Sequence, residues 1–342
     1  MQIYNFITVT GTIFMSDKIK VGVVGVGALG RHHARLYNLS ENADVVGIFD
    51  VNTDNAQKVA DEFGLKVYTD IEELGNDCEA FSVAVPATYH MQTTVPLLEM
   101  GKHVLVEKPL AATAEEGRIM LEAAKKNQVV FGVGHTERFN PAMDYLVSHS
   151  GNTCFIEVHR LAQYPPARPG QHRRGTEVSV VHDLMIHDLD LILETVDSEV
   201  ERFDAVGTAV LSETEDIVNV RIKFKNGVVA NVTASRISEE LQRRFRVFQD
   251  DAYISMDHGN NSGVVVKKNK LGLVRKKVSL DPKNALAAEL EDFIAAIKKT
   301  KATGKIVDPK VSGLDGLKAL QLAEDIVAEI RRYNKKYASD KQ

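Results

Sequence analysis

Residues 19–30 read IKVGVVGVGALG, and residues 31–39 continue RHHARLYNL. The opening run is apolar and β-branched enough for a strand buried on both faces, and the continuation is helical in composition. Between them Gly25-Val26-Gly27-Ala28-Leu29-Gly30 forms a GxGxxG. Glycines cluster by chance, so the context decides. Here a strand precedes, a helix follows, and Asp50 closes the next strand, DVVGIFD, twenty residues after Gly30. Gly25 permits a tight turn, Gly27 lets backbone approach a pyrophosphate, and Gly30 allows close helix–strand packing. Ala28 and Leu29 complete the loop, and the helix N-terminus offers unpaired N–H groups to phosphate. Asp50 is placed to accept hydrogen bonds from ribose hydroxyls and to repel a 2′-phosphate. Val51-Asn52-Thr53 brings no cation to reward that phosphate. The expected cofactor is NAD rather than NADP.

Outward from this unit the alternation continues to about Gly134. TDNAQKVADEF, a short KVYTD strand, AFSVAV, TYHMQTTVPLLEM, HVLVEKP, TAEEGRIMLEAAKKN and VVFGVG follow in turn. Thr113 with Glu116 makes a capping box for one helix. Such alternation predicts a parallel sheet covered on both faces. After Asn152 the texture changes to strands such as VNVRIKF (218–224), which alternate apolar and polar residues. Asn226-Gly227 is a hairpin signal between two of them. Two long helices close the chain. The expected fold is α/β, a Rossmann domain with a parallel sheet followed by an α+β domain on a large, open, mainly antiparallel sheet. The expected boundaries are an N-terminal extension over 1–14, an NAD-binding domain over 15–138, and a substrate-binding and oligomerisation domain over 139–342.

The 342 residues suit two domains, with 44% hydrophobic and 26% charged residues as in soluble globular proteins. A net charge of −5 gives no global basic field for nucleic acid or an anionic membrane. No apolar run approaches the ~18–20 residues of a membrane span. Cys78 and Cys154 stand far apart in no metal or redox spacing, which suits free thiols in a reducing cytoplasm.

The stretch VVHDLMIHDLDLIL (180–193) carries polar residues on an apolar rod. At ~100° per residue, Asp183, His187, Asp190 and Glu194 share one narrow stripe, as expected of a helix edge facing a cavity. A solvated edge is the bland alternative. Asp188 falls on the apolar side and needs a partner that the pattern does not identify. His182, Asp183, His187 and Asp190 form no metal site, because His182 points ~100° away from Asp183. An acid/base role uses the stripe best. His187 is expected as the base for a hydroxyl proton, with Asp183 orienting its imidazole. Lys108, at a strand end beside the cofactor, would stabilise a developing alkoxide or itself serve as base.

Pro86 and His90 in AVPATYH, Glu107-Lys108-Pro109, and Asp183 and His187 in DLMIHDLD together resemble the Gfo/Idh/MocA family of oxidoreductases. The resemblance covers nearly the whole chain from Lys18. It implies NAD(P)-dependent oxidation or reduction of a sugar or cyclitol, with Pro86, His90, Glu107 and Lys108 beside the cofactor. It also implies Lys108, Asp183 and His187 as the catalytic set. GHTERFNPA (134–142), EVHRLAQYPPARPG (157–170) and VVHDLMIHDLDLIL resemble more narrowly the family's UDP-N-acetylglucosamine 3-dehydrogenases. Those make a 3-keto sugar that a transaminase aminates for lipid A. A free sugar or inositol as substrate, or a non-catalytic NAD-binding sensor, are the alternatives.

Arg160, Arg168, Arg173 and Arg174 cluster in HRLAQYPPARPGQHRRG, where they could clamp the diphosphate of a nucleotide-sugar or stand solvated. Arg138 and Asn140 are expected to line the nicotinamide or sugar pocket. An open sheet with an uncovered face predicts a homodimer or homotetramer.

Overall fold

The computed structural model describes residues 18–167, 173 and 175–338. Its first half alternates β1 (Ile19–Val24), α1 (Gly30–Leu39), β2 (Ala43–Phe49), α2 (Thr53–Phe63), α3 (Ile71–Asp77), β3 (Ala80–Val83), α4 (His90–Glu99), β4 (His103–Glu107), α5 (Ala114–Lys126) and β5 (Phe131–Gly134). The strands pair in parallel in the order β2-β1-β3-β4-β5. The order reverses at β1, which opens a crevice beyond the strand ends, where such sheets take ligands. KVYTD does not form a full strand. It makes one bridge, Val67 against Ile48, before Asp70 turns to cap α3 by accepting from the Glu72 N–H at 2.8 Å. Thr113 caps α5 as expected, accepting from the Glu116 N–H at 3.2 Å, while Glu116 reaches the N–H of Ala112 instead of Thr113's own.

The second half begins with α6 (Pro141–Ser148) and β6 (Thr153–Leu161), and a π-helical turn over Val181–Met185 leads into α7 (Ile186–Val196). Seven strands follow: β7 (Val200–Thr208), β8 (Ile217–Phe224), β9 (Val229–Ser235), β10 (Gln242–Gln249), β11 (Ala252–Asp257), β12 (Ser262–Asn269) and β13 (Gly272–Ser279). They join β6 in an eight-stranded sheet ordered β13-β12-β11-β10-β6-β9-β8-β7. Every pairing is antiparallel except β6 with β9. The inner face of this sheet, with Ile156, Val158, Val220, Val232, Phe245 and Ile254, is buried.

The chain then returns to the first sheet, which the expected division at 139 does not capture. In α8 (Ala285–Thr303), Leu290, Phe293 and Ile297 pack with Ile19, Val21, Val23 and Tyr37 in one core. α9 (Gly313–Ala338) lies against β5, α5, α7 and β7, bridging both sheets. Burial of an amphipathic face against whichever sheet is open decides this, and no local signal specifies the partner. No helix among the described residues is long and apolar enough to cross a membrane.

Candidate active site

The glycine loop lies at the end of β1. Gly25 has φ +80°, and a Cβ there would meet Ala84 backbone atoms at 2.9 Å. At Gly30 a Cβ would lie 1.8 Å from the Gly25 carbonyl oxygen. Gly27 differs, since nothing stands within 4 Å of the Cβ it lacks. Its open side suits the close approach of a phosphate. No side chain caps α1 and no acid stands in its first turn, so the protein leaves its positive end unclaimed. Ala28 and Leu29 are exposed on this loop. Asp50 accepts from the N–H of Val26 and of Asn52, each at 2.8 Å, tying the end of β2 to the loop. These features fit a dinucleotide.

Two of the residues expected beside the cofactor, His90 and Glu107, make contacts inside the protein. His90 is 1% exposed, with Nδ1 at 2.9 Å from the Pro109 carbonyl and Nε2 at 2.9 Å from that of Val85. It clamps the AVP and EKP segments together from inside. Glu107 turns its carboxylate inward, where Oε1 lies 2.8 Å from His33 Nε2, and Ser82 follows at 3.1 Å from His33 Nδ1. Burial pushes the Glu107 carboxyl up, but the His33 imidazole, helped by Lys108, outweighs it and holds the carboxyl below the usual range. Pro86 is exposed and opens a short 3₁₀ turn over Ala87–Tyr89. Buried polar atoms near a strand end take protein partners before a ligand can claim them.

Lys108 joins the two halves. It follows β4, precedes a cis proline at 109, and donates from Nζ to the main-chain carbonyl of Asp183 at 2.8 Å. The Asp183 carboxylate lies 3.9 Å from the same ammonium. Asp183 therefore holds Lys108, and the structure records no hydrogen bond from it to His187. The expected geometry fails because Val181–Met185 is a π turn, in which the Ile186 N–H reaches back five residues to the Val181 carbonyl. An inserted wide turn breaks the ~100° spacing and is common at functional sites. His187 Nδ1 is buried without a hydrogen-bond partner among the described residues. Burial, then the charges of Lys108 and Arg160, hold this imidazole well below the ordinary histidine value, while Glu137 pulls the other way.

The remaining stripe is already occupied. Arg138 grips Asp190 with two bonds, at 2.8 and 2.7 Å, and Glu194 at 2.8 Å. Arg160 grips Asp188 at 2.8 Å through both Nε and Nη2 and reaches Glu137 at 3.2 Å. This supplies the partner that Asp188 lacked in the sequence. Asn140 caps α6 by accepting from the Ala142 N–H at 2.9 Å and donates to the His258 carbonyl at 2.9 Å. Arg138, Asn140 and Arg160 are thus internal ties. A buried guanidinium must be paired, and carboxylates on α7 stood within reach. Arg173 donates to the Pro165 carbonyl and stacks 5.1 Å from the Tyr164 ring centroid. Arg168 and Arg174 lie outside the described residues.

Sequence reasoning passed over His135, Glu137 and His258. Glu137 Oε2 is 3.0 Å from His258 Nδ1, so one carboxylate ties β6, through Arg160, to the end of β11. His135 is fully buried and meets His187 edge to face, with ring centroids 6.2 Å apart. His135 and Glu137 both sit in GHTERFNPA, a stretch the sequence marked only as a motif without roles for these two.

Comparison with known proteins agrees with this architecture. A family model described as "Oxidoreductase family, NAD-binding Rossmann fold" matches residues 19–135, and one described as "GFO/IDH/MocA C-terminal domain" matches 149–255. A UDP-N-acetylglucosamine 3-dehydrogenase of Acidithiobacillus ferrooxidans is 34% identical over 82% of this chain and 88% of its own length. A crystal structure of that enzyme superposes with a TM-score of 0.85 at 32% identity, covering 92% of this chain and 99% of the other. A myo-inositol 2-dehydrogenase of Thermotoga maritima is 26% identical over 89% of this chain and 94% of its own.

Proposed function

The chain belongs to the Gfo/Idh/MocA family of NAD-binding oxidoreductases, and on that premise we propose that it oxidises C3 of UDP-N-acetylglucosamine to the 3-keto sugar. The observation that carries the reading is the meeting of Lys108 with Asp183 at 2.8 Å, which brings the C-terminal end of β4 and the turn that enters α7 to one point. The choice of sugar follows the Acidithiobacillus relative.

Bound NAD supplies the acceptor for the hydride that leaves C3. Gly25, Gly27 and Gly30 with the end of α1 would hold its phosphates, and Asp50 would meet its adenosine ribose. His187 is the base. Burial, and then Lys108 and Arg160, oppose a positive charge on its imidazole, which leaves its lone pair free for the hydroxyl proton. Lys108, fixed by Asp183, hydrogen-bonds the reacting oxygen and stabilises the negative charge that grows on it. Loss of such a donor lowers kcat by about 10²–10³.

Oxidation of a free sugar or inositol is the second reading. It gains from Arg138 and Arg160, which are committed to carboxylates and unavailable to a diphosphate. The decisive assay follows NADH absorbance with NAD and a panel of UDP-sugars, free glucose and inositol. Turnover confined to UDP-N-acetylglucosamine is the expected result. Turnover confined to free polyols would overturn the substrate, and none at all would overturn the dehydrogenase reading.

The quaternary reading is a homo-oligomer through the outer face of the large sheet. Val229, Phe155, Phe248, Tyr253 and Val266 form one row across five strands there, each half-buried. Two unpaired cysteines, Cys78 and Cys154, suit a reducing cytoplasm.

A further inference from the structure

His135 is fully buried, and neither of its ring nitrogens has a hydrogen-bond partner among the described residues. Its neighbour His187 has a buried Nδ1 in the same condition. The rings stand at 88° with centroids 6.2 Å apart. One water held by ordinary hydrogen bonds to two ring nitrogens sets them roughly 4.5–6 Å apart, a spacing open to two rings whose centroids are 6.2 Å apart. If edge-to-face packing were the whole role of residue 135, a phenyl ring would provide it without two unsatisfied polar atoms. An orphaned imidazole beside a catalytic one calls for an exchangeable proton.

We propose that His135 is a positioning residue that relays protons for His187, taking the Nδ1 proton as Nε2 accepts the proton of the substrate hydroxyl. The inference rests on the dehydrogenase reading above. In the step, the substrate O–H bond breaks as an N–H bond forms at His187 Nε2. The Nδ1–H bond of His187 breaks in turn, and through one water a new N–H forms on His135. The hydride leaves carbon for NAD and the proton leaves oxygen, so the alcohol loses one hydride and one proton, and the proton returns to solvent by the reverse path once product has left.

The charges around the two rings favour this direction. Lys108 and Arg160 stand nearest in effect to His187 and oppose a cation there, against Glu137. For His135 the strongest charge is Asp190, which favours a cation, against Arg138 and Lys108, with Glu107 also favourable. Burial opposes charge on both, so each ring is neutral before the reaction.

The test replaces His135 in the full-length protein. In H135A, kcat falls about 100-fold while KM for the sugar and the affinity for NADH stay put, and added imidazole restores turnover. H135F keeps the packing, so it folds and stays slow, and imidazole does not restore it. A folded H135A that imidazole leaves unrescued, a raised KM with unchanged kcat, or an H135F as fast as wild type would each overturn the relay. Histidine ¹⁵N NMR on the protein without substrate reads the pair independently of turnover. Coupled titration of His135 and His187, with the His187 curve displaced in H135F, is expected. Independent titration overturns the relay, whereas a silent NADH assay with coupled titration overturns only the assigned reaction.

Discussion

Glu289, on α8, is 2% exposed, and only the Thr136 side chain opposes the effect of burial on its carboxyl. Burial, and next the Glu107 carboxylate, push its carboxyl well above the usual range, with Asp190 and Asp292 adding to the effect. It is a neutral acid at the foot of the helix that returns to the first sheet. The sign of its linkage follows. Unfolded, this glutamate ionises above a pH of about 4.3, but folded it holds its proton, so it subtracts stability increasingly as pH rises from there to its folded pKa. Glu289→Gln should therefore raise Tm at pH 8 and change it little at pH 4.5. A Tm difference that is the same at both pH values would count against this account. The sequence shows only ELEDF on an amphipathic helix, and nothing in that pattern marks one glutamate as neutral.

At the scale of the element, α7 illustrates where helical arithmetic holds and where it stops. The narrow polar stripe is real, but it serves two purposes. Its first end, with Asp183 and His187, borders Lys108, and its second, with Asp190 and Glu194, is clamped by Arg138. The intervening Asp188 turns to the opposite side and locks α7 onto β6 through Arg160. Arg160→Met leaves Asp188 charged, buried and without this partner, so unfolding in urea should be easier by about 3–5 kcal/mol. Asp188→Leu added to Arg160→Met should recover most of that loss, since a packed apolar pair replaces an ion pair at little cost. A double variant as unstable as the single one would show that the strain lies in packing instead. The position of Asp188 on the apolar side was legible in the sequence. Its partner was not, because the ion pair spans 28 residues and a strand-to-helix crossing.

At the scale of the whole molecule, α9 bridges the two sheets and α8 packs on the first, and among the described residues no helix is seen to pack on the outer face of the large sheet. The aromatic row over Phe155, Phe248 and Tyr253, with ring centroids 5.4 and 4.9 Å apart, is the part of that face suited to a second copy. Light scattering should report a dimer or larger assembly for the wild type and a folded monomer for Phe248→Asp/Tyr253→Asp. A wild-type monomer at micromolar concentration would remove this interface. The cofactor half of the protein was determined by the sequence itself. Strand, glycine loop, helix and Asp50 lie within about thirty residues, and their geometry depends on backbone sterics and short-range hydrogen bonds that local sequence dictates. The family motifs pointed to Lys108, Asp183 and His187, of which Lys108 and Asp183 meet in the fold. Only the tertiary structure decided which polar side chains are spent: Arg138 and Arg160 on α7, Glu107 on His33, Asp183 on Lys108, and Asn140 on a helix cap. Long side chains choose partners by proximity in the fold, and burying a charge makes that choice compulsory, so function for such residues is settled by the packing that surrounds them.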